Sequence, residues 1–148
     1  HVNSLFYVDN KLYYCCHNRG KQLSEYYSFD TVTNQIEKIS ENGNSSHGVV
    51  VHENHLYSLG TRGRRLLRIN LEDKELGRVK LSEVRGLFFR GLCYHNGKLL
   101  IGVSNDHVMK NSVIPNALII SFDLKTLKTE VVLEVSDVPI INDFILVD

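Results

Sequence analysis

Short apolar stretches recur along the chain, and each of four begins at a polar residue and reaches a turn-forming or charged residue six positions later. They occupy residues 3–9, 47–53, 90–96 and 142–148. Their starts, at Asn3, His47, Arg90 and Asn142, lie 44, 43 and 52 residues apart. A spacing that regular indicates an internal structural repeat.

The similarity continues beyond these stretches. A leucine lies nine residues after each of the first three starts and follows a short polar connector at Asn10-Lys11, Asn54-His55 or 96–98. Connectors of this kind predict tight hairpins. A further apolar run ends at Asp or Asn in each repeat, and a polar turn and one more apolar stretch follow. No run with helical periodicity competes with this interpretation, so each repeat predicts four strands.

Four short antiparallel strands repeating every 40 to 50 residues are typical of a β-propeller blade. The pattern therefore predicts an all-β partial β-propeller with three four-stranded antiparallel blades, at about residues 1–40, 44–82 and 87–136. The first strand of a fourth blade would lie at 140–148. A β-sandwich is the alternative, but it would not be expected to repeat one polar-start register four times.

Three blades and one strand leave sheet faces open, because propellers close with about four to eight blades. The missing blades would come from the rest of a longer chain or from a second copy. The start at His1 rather than Met favours a fragment of a longer protein.

Composition narrows the function classes. Lys and Arg together number 17, as do Asp and Glu, so no nucleic-acid or anionic-membrane partner is expected. The apolar runs are too short to span a bilayer. The three cysteines provide no disulfide framework and are interpreted as reduced thiols. A soluble, cytoplasmic protein is favoured.

Propeller geometry places the start of each innermost strand on the same face as the loop between the second and third strands. Ligands generally bind on that face, where the central channel opens. The predicted ligand-binding residues at the channel mouth are Asn3, His47, Arg90, Asn142 and Asp143. The predicted rim residues are His17, Arg62, Arg64, Asn105 and His107.

Two interpretations of the polar starts stay open. They can simply hydrogen-bond water at a wet channel mouth, or they can converge on a ligand. An imidazole, a guanidinium, amides and a carboxylate suit an anion or a sugar. Asn142, Asp143, Asn3 and His47 could instead hold a divalent cation, although Arg90 would repel it.

These residues resemble two known groups. The segments 1–4, 46–48, 89–92 and 97–104 resemble a set of bacterial propellers of unassigned function. Asn142-Asp143 before an apolar strand is similar to the gluconolactonase and senescence-marker-protein family of six-bladed propellers. That resemblance implies a central divalent cation held by Asn142 or Asp143, whereas His47 and Arg90 depart from the family pattern.

Three functions follow, and whether the protein is an enzyme stays open. The first is a binding module for a small polar or anionic ligand, such as a saccharide or sugar phosphate. The second is a metal-assisted lactonase- or esterase-type hydrolase with Asn142 and Asp143 as ligands and His47 as general base. The third is a protein-interaction scaffold without catalysis, which would use the arginines between Arg62 and Arg68.

Overall fold

A computed structural model describes residues 2–17, 22–61, 63, 65–81, 87–105, 116–138 and 140–144. Every regular element in these residues is a strand. The strands are β1 (Val2–Val8), β2 (Lys11–Cys16), β3 (Glu25–Asp30), β4 (Ile36–Glu41), β5 (Ser46–His52), β6 (His55–Gly60), β7 (Arg65–Asn70), β8 (Leu76–Lys80), β9 (Leu87–His95), β10 (Lys98–Asn105), β11 (Ala117–Asp123) and β12 (Thr129–Val135). Within the described ranges, no helix is long and apolar enough to cross a membrane.

The strands form three antiparallel four-stranded sheets in sequence order. Blade 1 is β1–β4, blade 2 is β5–β8 and blade 3 is β9–β12. The all-β class and the three four-stranded blades predicted from the sequence are therefore confirmed. The chain divides into two compact units, residues 1–80 with blades 1 and 2, and residues 81–148 with blade 3.

Hairpin turns of one type join the first two strands of every blade. Both turn residues have positive φ, as a type I′ turn requires. The turn residues are Asp9-Asn10, Glu53-Asn54 and Asn96-Gly97. In the first two blades the turn thus lies one residue earlier than the sequence connectors suggested, because Lys11 and His55 already pair in their second strands.

The turn after the third strand of each blade is also shared. The side-chain Oδ1 of Asp30, Asn70 and Asp123 accepts a hydrogen bond from the backbone N–H two residues later, at 2.9, 2.8 and 2.9 Å. In the two aspartates it also accepts one from the third residue on. These backbone donors lower the pKa of the Asp30 and Asp123 carboxyls. The repeat seen in the sequence is therefore a repeat of local structure.

Blades 1 and 2 share one apolar core within the first unit. Blade 1 contributes its inward side chains, and the facing side of blade 2 packs against them. The buried members are Tyr13, Cys15, Tyr26, Ile39, Val49, Leu56, Leu67 and Ile69. This face-to-face burial is what a single four-stranded sheet cannot achieve alone.

Blade 3 buries its own set of large side chains, namely Phe89, Leu92, Leu99, Ile101, Val103, Ile120 and Phe122. The expected first strand of a fourth blade is not formed by residues 140–144, and residues 145–148 lie outside the described residues. The Ser104 hydroxyl hydrogen-bonds both the N–H and the carbonyl of Ile141, at 2.7 and 3.1 Å. The backbone of Ile141 is therefore held by a side chain instead of by a neighbouring strand.

Candidate functional site

Each innermost strand carries a β-bulge where the sequence places its polar start. The residue left out of the pairing is Asn3 in β1, Gly48 in β5 and Gly91 in β9. The two glycines have φ of 68° and 73°, which other residues rarely adopt. Because a bulge bends its strand and re-aims nearby side chains, all three predicted starts lie at points of altered side-chain direction.

Asn3 and His47, the starts of blades 1 and 2, contact each other directly. The Asn3 amide nitrogen donates to the carbonyl of Ser46 at 2.8 Å and lies 2.6 Å from His47 Nδ1. A carbonyl only accepts, so the amide nitrogen must face Ser46. An amide nitrogen only donates, so His47 Nδ1 must be unprotonated. The neutral His47 ring therefore carries its hydrogen on Nε2.

Two further side chains complete this group. The His17 ring, predicted at the rim, lies with its centroid 5.4 Å from that of His47. The Ser4 hydroxyl donates to the Asn3 carbonyl and accepts from the Gly48 N–H, both at 2.8 Å. Sequence reasoning did not single out Ser4. The sequence feature that could have identified Ser4 is its position directly after a polar start, where the other two repeats have the bulge glycine.

Arg90 and Asn142, the starts separated by 52 residues, also contact each other, within the second unit. Arg90 Nη1 donates to Asn142 Oδ1 at 2.5 Å. The guanidinium carbon lies 4.6 Å from the centroid of the Phe88 ring, which is a cation–π contact. Arg90 Nε is buried and has no hydrogen-bond partner among the described residues. Phe88 is a second residue that the sequence interpretation missed, although it lies two residues before Arg90.

Two glycines let residues 140–144 pack against blade 3. A Cβ at Gly91 would lie 2.8 Å from Phe144 Cδ1, and one at Gly102 would lie 2.2 Å from the carbonyl oxygen of Arg90. Neither position has room for a side chain. The glycines thereby allow the approach that places Asn142 beside Arg90.

Asp143 is exposed, and its Oδ1 accepts a hydrogen bond from the N–H of Phe144 at 3.0 Å. Burial raises the pKa of the Cys93 thiol, and the negative charge of Asp143 adds to that shift. Within the described ranges, no group of three or more His, Cys, Asp or Glu side chains is placed to share a metal ion.

The remaining predicted rim residues cannot be placed. Arg62, Arg64 and His107 lie outside the described residues, as does the Asn105 side chain, although the Asn105 backbone ends β10. Of the predicted mouth residues, the structure thus brings together Asn3 with His47 in one unit and Arg90 with Asn142 in the other.

Comparison with known proteins identifies similar structures and no family. No family model matches the chain, and no curated protein matches it. A luciferin-regenerating enzyme superposes with a TM-score of 0.67 at 6% identity, over 94% of this chain and 46% of that one. The tricorn protease superposes with a TM-score of 0.63 at 14% identity, over 88% of this chain and 13% of that one. The chain therefore spans less than half the length of either protein.

Identities this low carry information about the fold alone. Both neighbours are of the β-propeller type, and the chain aligns with them over most of its length. Together with the three blades and their shared turns, these matches show that the chain has a β-propeller-type fold.

Proposed function

We propose that this chain is a binding module for a small polar or anionic ligand, such as a saccharide or sugar phosphate, and that the residues opening its inner strands hold that ligand. The observation that carries the proposal is the pairing of those residues, Asn3 with His47 and Arg90 with Asn142. Each pair fixes the direction of polar groups before any ligand arrives, which lowers the entropic cost of binding.

The groups in both pairs suit a ligand rich in oxygen atoms. The Asn3 amide nitrogen donates to the Ser46 carbonyl and to His47 Nδ1. His47 therefore carries its hydrogen on Nε2, where it offers a donor N–H. Arg90 adds a permanent positive charge with planar donors, and the Phe88 ring beneath it restrains its rotamer. Donors of this kind recognise hydroxyl, carboxylate and phosphate oxygens.

The same geometry supports binding more strongly than metal-assisted hydrolysis. Asn142 Oδ1, the oxygen that would hold a cation, accepts a hydrogen bond from the positively charged Arg90. A general base needs an unprotonated nitrogen facing the reacting proton. The unprotonated nitrogen of His47 is Nδ1, and it is occupied by the Asn3 amide.

Calorimetric titration with a panel of neutral sugars, sugar phosphates and inorganic phosphate tests the proposal. His47→Ala and Arg90→Ala should each weaken binding by about 10- to 100-fold, the effect of losing one hydrogen bond to a charged group. His95→Ala and Arg68→Ala change the same residue types at exposed positions elsewhere and should leave affinity unchanged. Binding that survives both His47→Ala and Arg90→Ala would refute the proposal.

The neutral state assigned to His47 can be measured separately. Long-range ¹H–¹⁵N spectra of the histidine rings should show His47 protonated at Nε2 and unprotonated at Nδ1 near neutral pH. Asn3→Ala removes the donor to Nδ1, so the His47 ¹⁵N shifts should change while those of His95 stay constant. A wild-type His47 protonated at Nδ1 would contradict the assignment.

A further inference from the structure

In the first unit, both backbone groups of Ser46, the residue directly before the polar start His47, are held by side chains of blade 1. The Ser46 N–H donates to the Ser24 hydroxyl at 3.0 Å. The Ser46 carbonyl accepts from the Asn3 amide at 2.8 Å. Because β5 is the edge strand of its sheet, backbone groups on its free side need partners outside that sheet.

In the second unit, Ile141 has the equivalent position, directly before the polar start Asn142. The Ser104 hydroxyl accepts from the Ile141 N–H at 2.7 Å and donates to the Ile141 carbonyl at 3.1 Å. Ser104 therefore does alone what Ser24 and Asn3 do together in the first unit. Because different residues hold the same two backbone groups at equivalent positions, the contact is a property of the repeat.

Both serines are firmly placed. Ser24 is fully buried, and its N–H and carbonyl bond the backbone of Gly43 and Asn42 at 3.2 and 2.8 Å. Ser104 is 1% exposed and pairs in register with Phe88. A hydroxyl whose own backbone is fixed in this way can set the direction of the segment that it bonds.

The segment held by Ser104 carries one member of the second polar pair. Asn142 follows Ile141 directly and accepts a hydrogen bond from Arg90. Arg90 packs on the ring of Phe88, the residue that pairs with Ser104. The Ser104 hydroxyl is thus connected to the Arg90–Asn142 contact from both sides, along the chain and across the β9–β10 pair.

We propose that Ser24 and Ser104 are positioning residues of the ligand site, Ser24 for His47 and Ser104 for Asn142; this assignment rests on the proposed function. Both serines are buried, so they act on the ligand only through the backbone that they hold. That backbone lies directly before a ligand-binding side chain. The side chain is therefore already directed when the ligand arrives, which lowers the cost of binding.

Side-chain ¹⁵N spectra of the ligand-free protein test the assignment of Ser104. In wild type, the bond to Asn142 should restrain the Arg90 guanidinium and keep its two Nη signals distinct. Ser104→Ala removes both hydrogen bonds to the segment, so these signals should merge or shift. Ser104→Thr keeps the hydroxyl and should keep the wild-type spectrum, since blade 2 has the buried Thr61 at the equivalent position. Ser121→Ala removes another buried serine of blade 3 and is the matched control.

The ring nitrogens of His47 provide the corresponding test of Ser24. Ser24→Ala removes the acceptor of the Ser46 N–H, so the His47 ¹⁵N shifts should change. Ser28→Ala removes another buried serine of blade 1 and should leave them unchanged. A serine that only stabilised its blade would lower the urea midpoint without moving the His47 or Arg90 signals.

Calorimetric titration with the same panel of neutral sugars, sugar phosphates and inorganic phosphate completes the test. Ser104→Ala and Ser24→Ala should each bind about tenfold more weakly than Ser121→Ala and Ser28→Ala. Arg90 or His47 signals that stay unchanged, or that change equally in the control variants, would overturn the assignment, as would unchanged affinities. If wild type bound nothing in the panel, the proposed function would fail, whereas the ligand-free spectra would still decide whether the serines direct these side chains.

Discussion

Replacing Gly91 with alanine should destabilise the second unit far more than the same change at Gly97. Both glycines have a left-handed backbone, with φ of 73° and 78°. Alanine in that conformation costs about 1–2 kcal/mol, and the entropy it removes from the unfolded chain is the same at both positions. Only the surroundings differ. A Cβ at Gly97 meets nothing within 4 Å, whereas one at Gly91 lies 2.8 Å from Phe144 Cδ1.

That steric overlap adds a second cost at Gly91. Inserting a methyl group into a filled site costs about 1–3 kcal/mol, because neighbouring groups must move. Gly97→Ala should therefore lower the free energy of unfolding by about 1–2 kcal/mol and Gly91→Ala by about 2–5 kcal/mol. Displacement of Phe144 should also separate Asn142 from Arg90.

Urea unfolding followed by far-UV circular dichroism measures the difference in stability between the two variants. We expect the urea midpoint of Gly91→Ala to lie about 1 M below that of Gly97→Ala. Phe144→Ala provides the control, because removing the ring should bring the cost of Gly91→Ala closer to that of Gly97→Ala, with the contact to Asp143 Cα at 3.2 Å remaining. If Gly91→Ala and Gly97→Ala lowered the free energy of unfolding equally in the wild-type background, the packing of residues 140–144 against blade 3 would be refuted.

Two other predictions concern titrating groups. Backbone donors lower the pKa of Asp30 and Asp123 in the folded protein. These carboxylates therefore stabilise the folded state fully above the unfolded pKa of about 3.9, and the stabilisation is lost as the pH falls through the lower folded pKa. Asp30→Asn and Asp123→Asn should therefore make the free energy of unfolding, measured with urea, fall less steeply at acid pH. The asparagine can keep the turn, because Asn70 forms a similar one. An unchanged dependence on acid pH would contradict this. Burial raises the pKa of Cys15 to about 12, so iodoacetamide at pH 8 should label Cys15 only after unfolding. Peptide mass spectrometry would contradict this if Cys15 in the folded protein reacted as fast as Cys16.

The sequence by itself determined the features that depend on a few neighbouring residues. The alternation of apolar and polar positions encodes the strands, and Asp30, Asn70 and Asp123 mark turns that each side chain closes with its own backbone. These rules act over four to ten residues and repeat in each blade. Both the blade count and the all-β class could therefore be predicted.

Only the tertiary structure decided how the polar starts are used. The protonation of His47 depends on the carbonyl of Ser46, which orients the Asn3 amide, and Asn3 lies 44 residues away from His47 in sequence. Likewise, the sequence predicts a strand within residues 140–148, whereas at Ile141 the Ser104 hydroxyl hydrogen-bonds both backbone groups. Hydrogen-bond partners and packing neighbours depend on which distant segments are in contact in the tertiary structure. A periodic pattern along the chain does not specify those contacts.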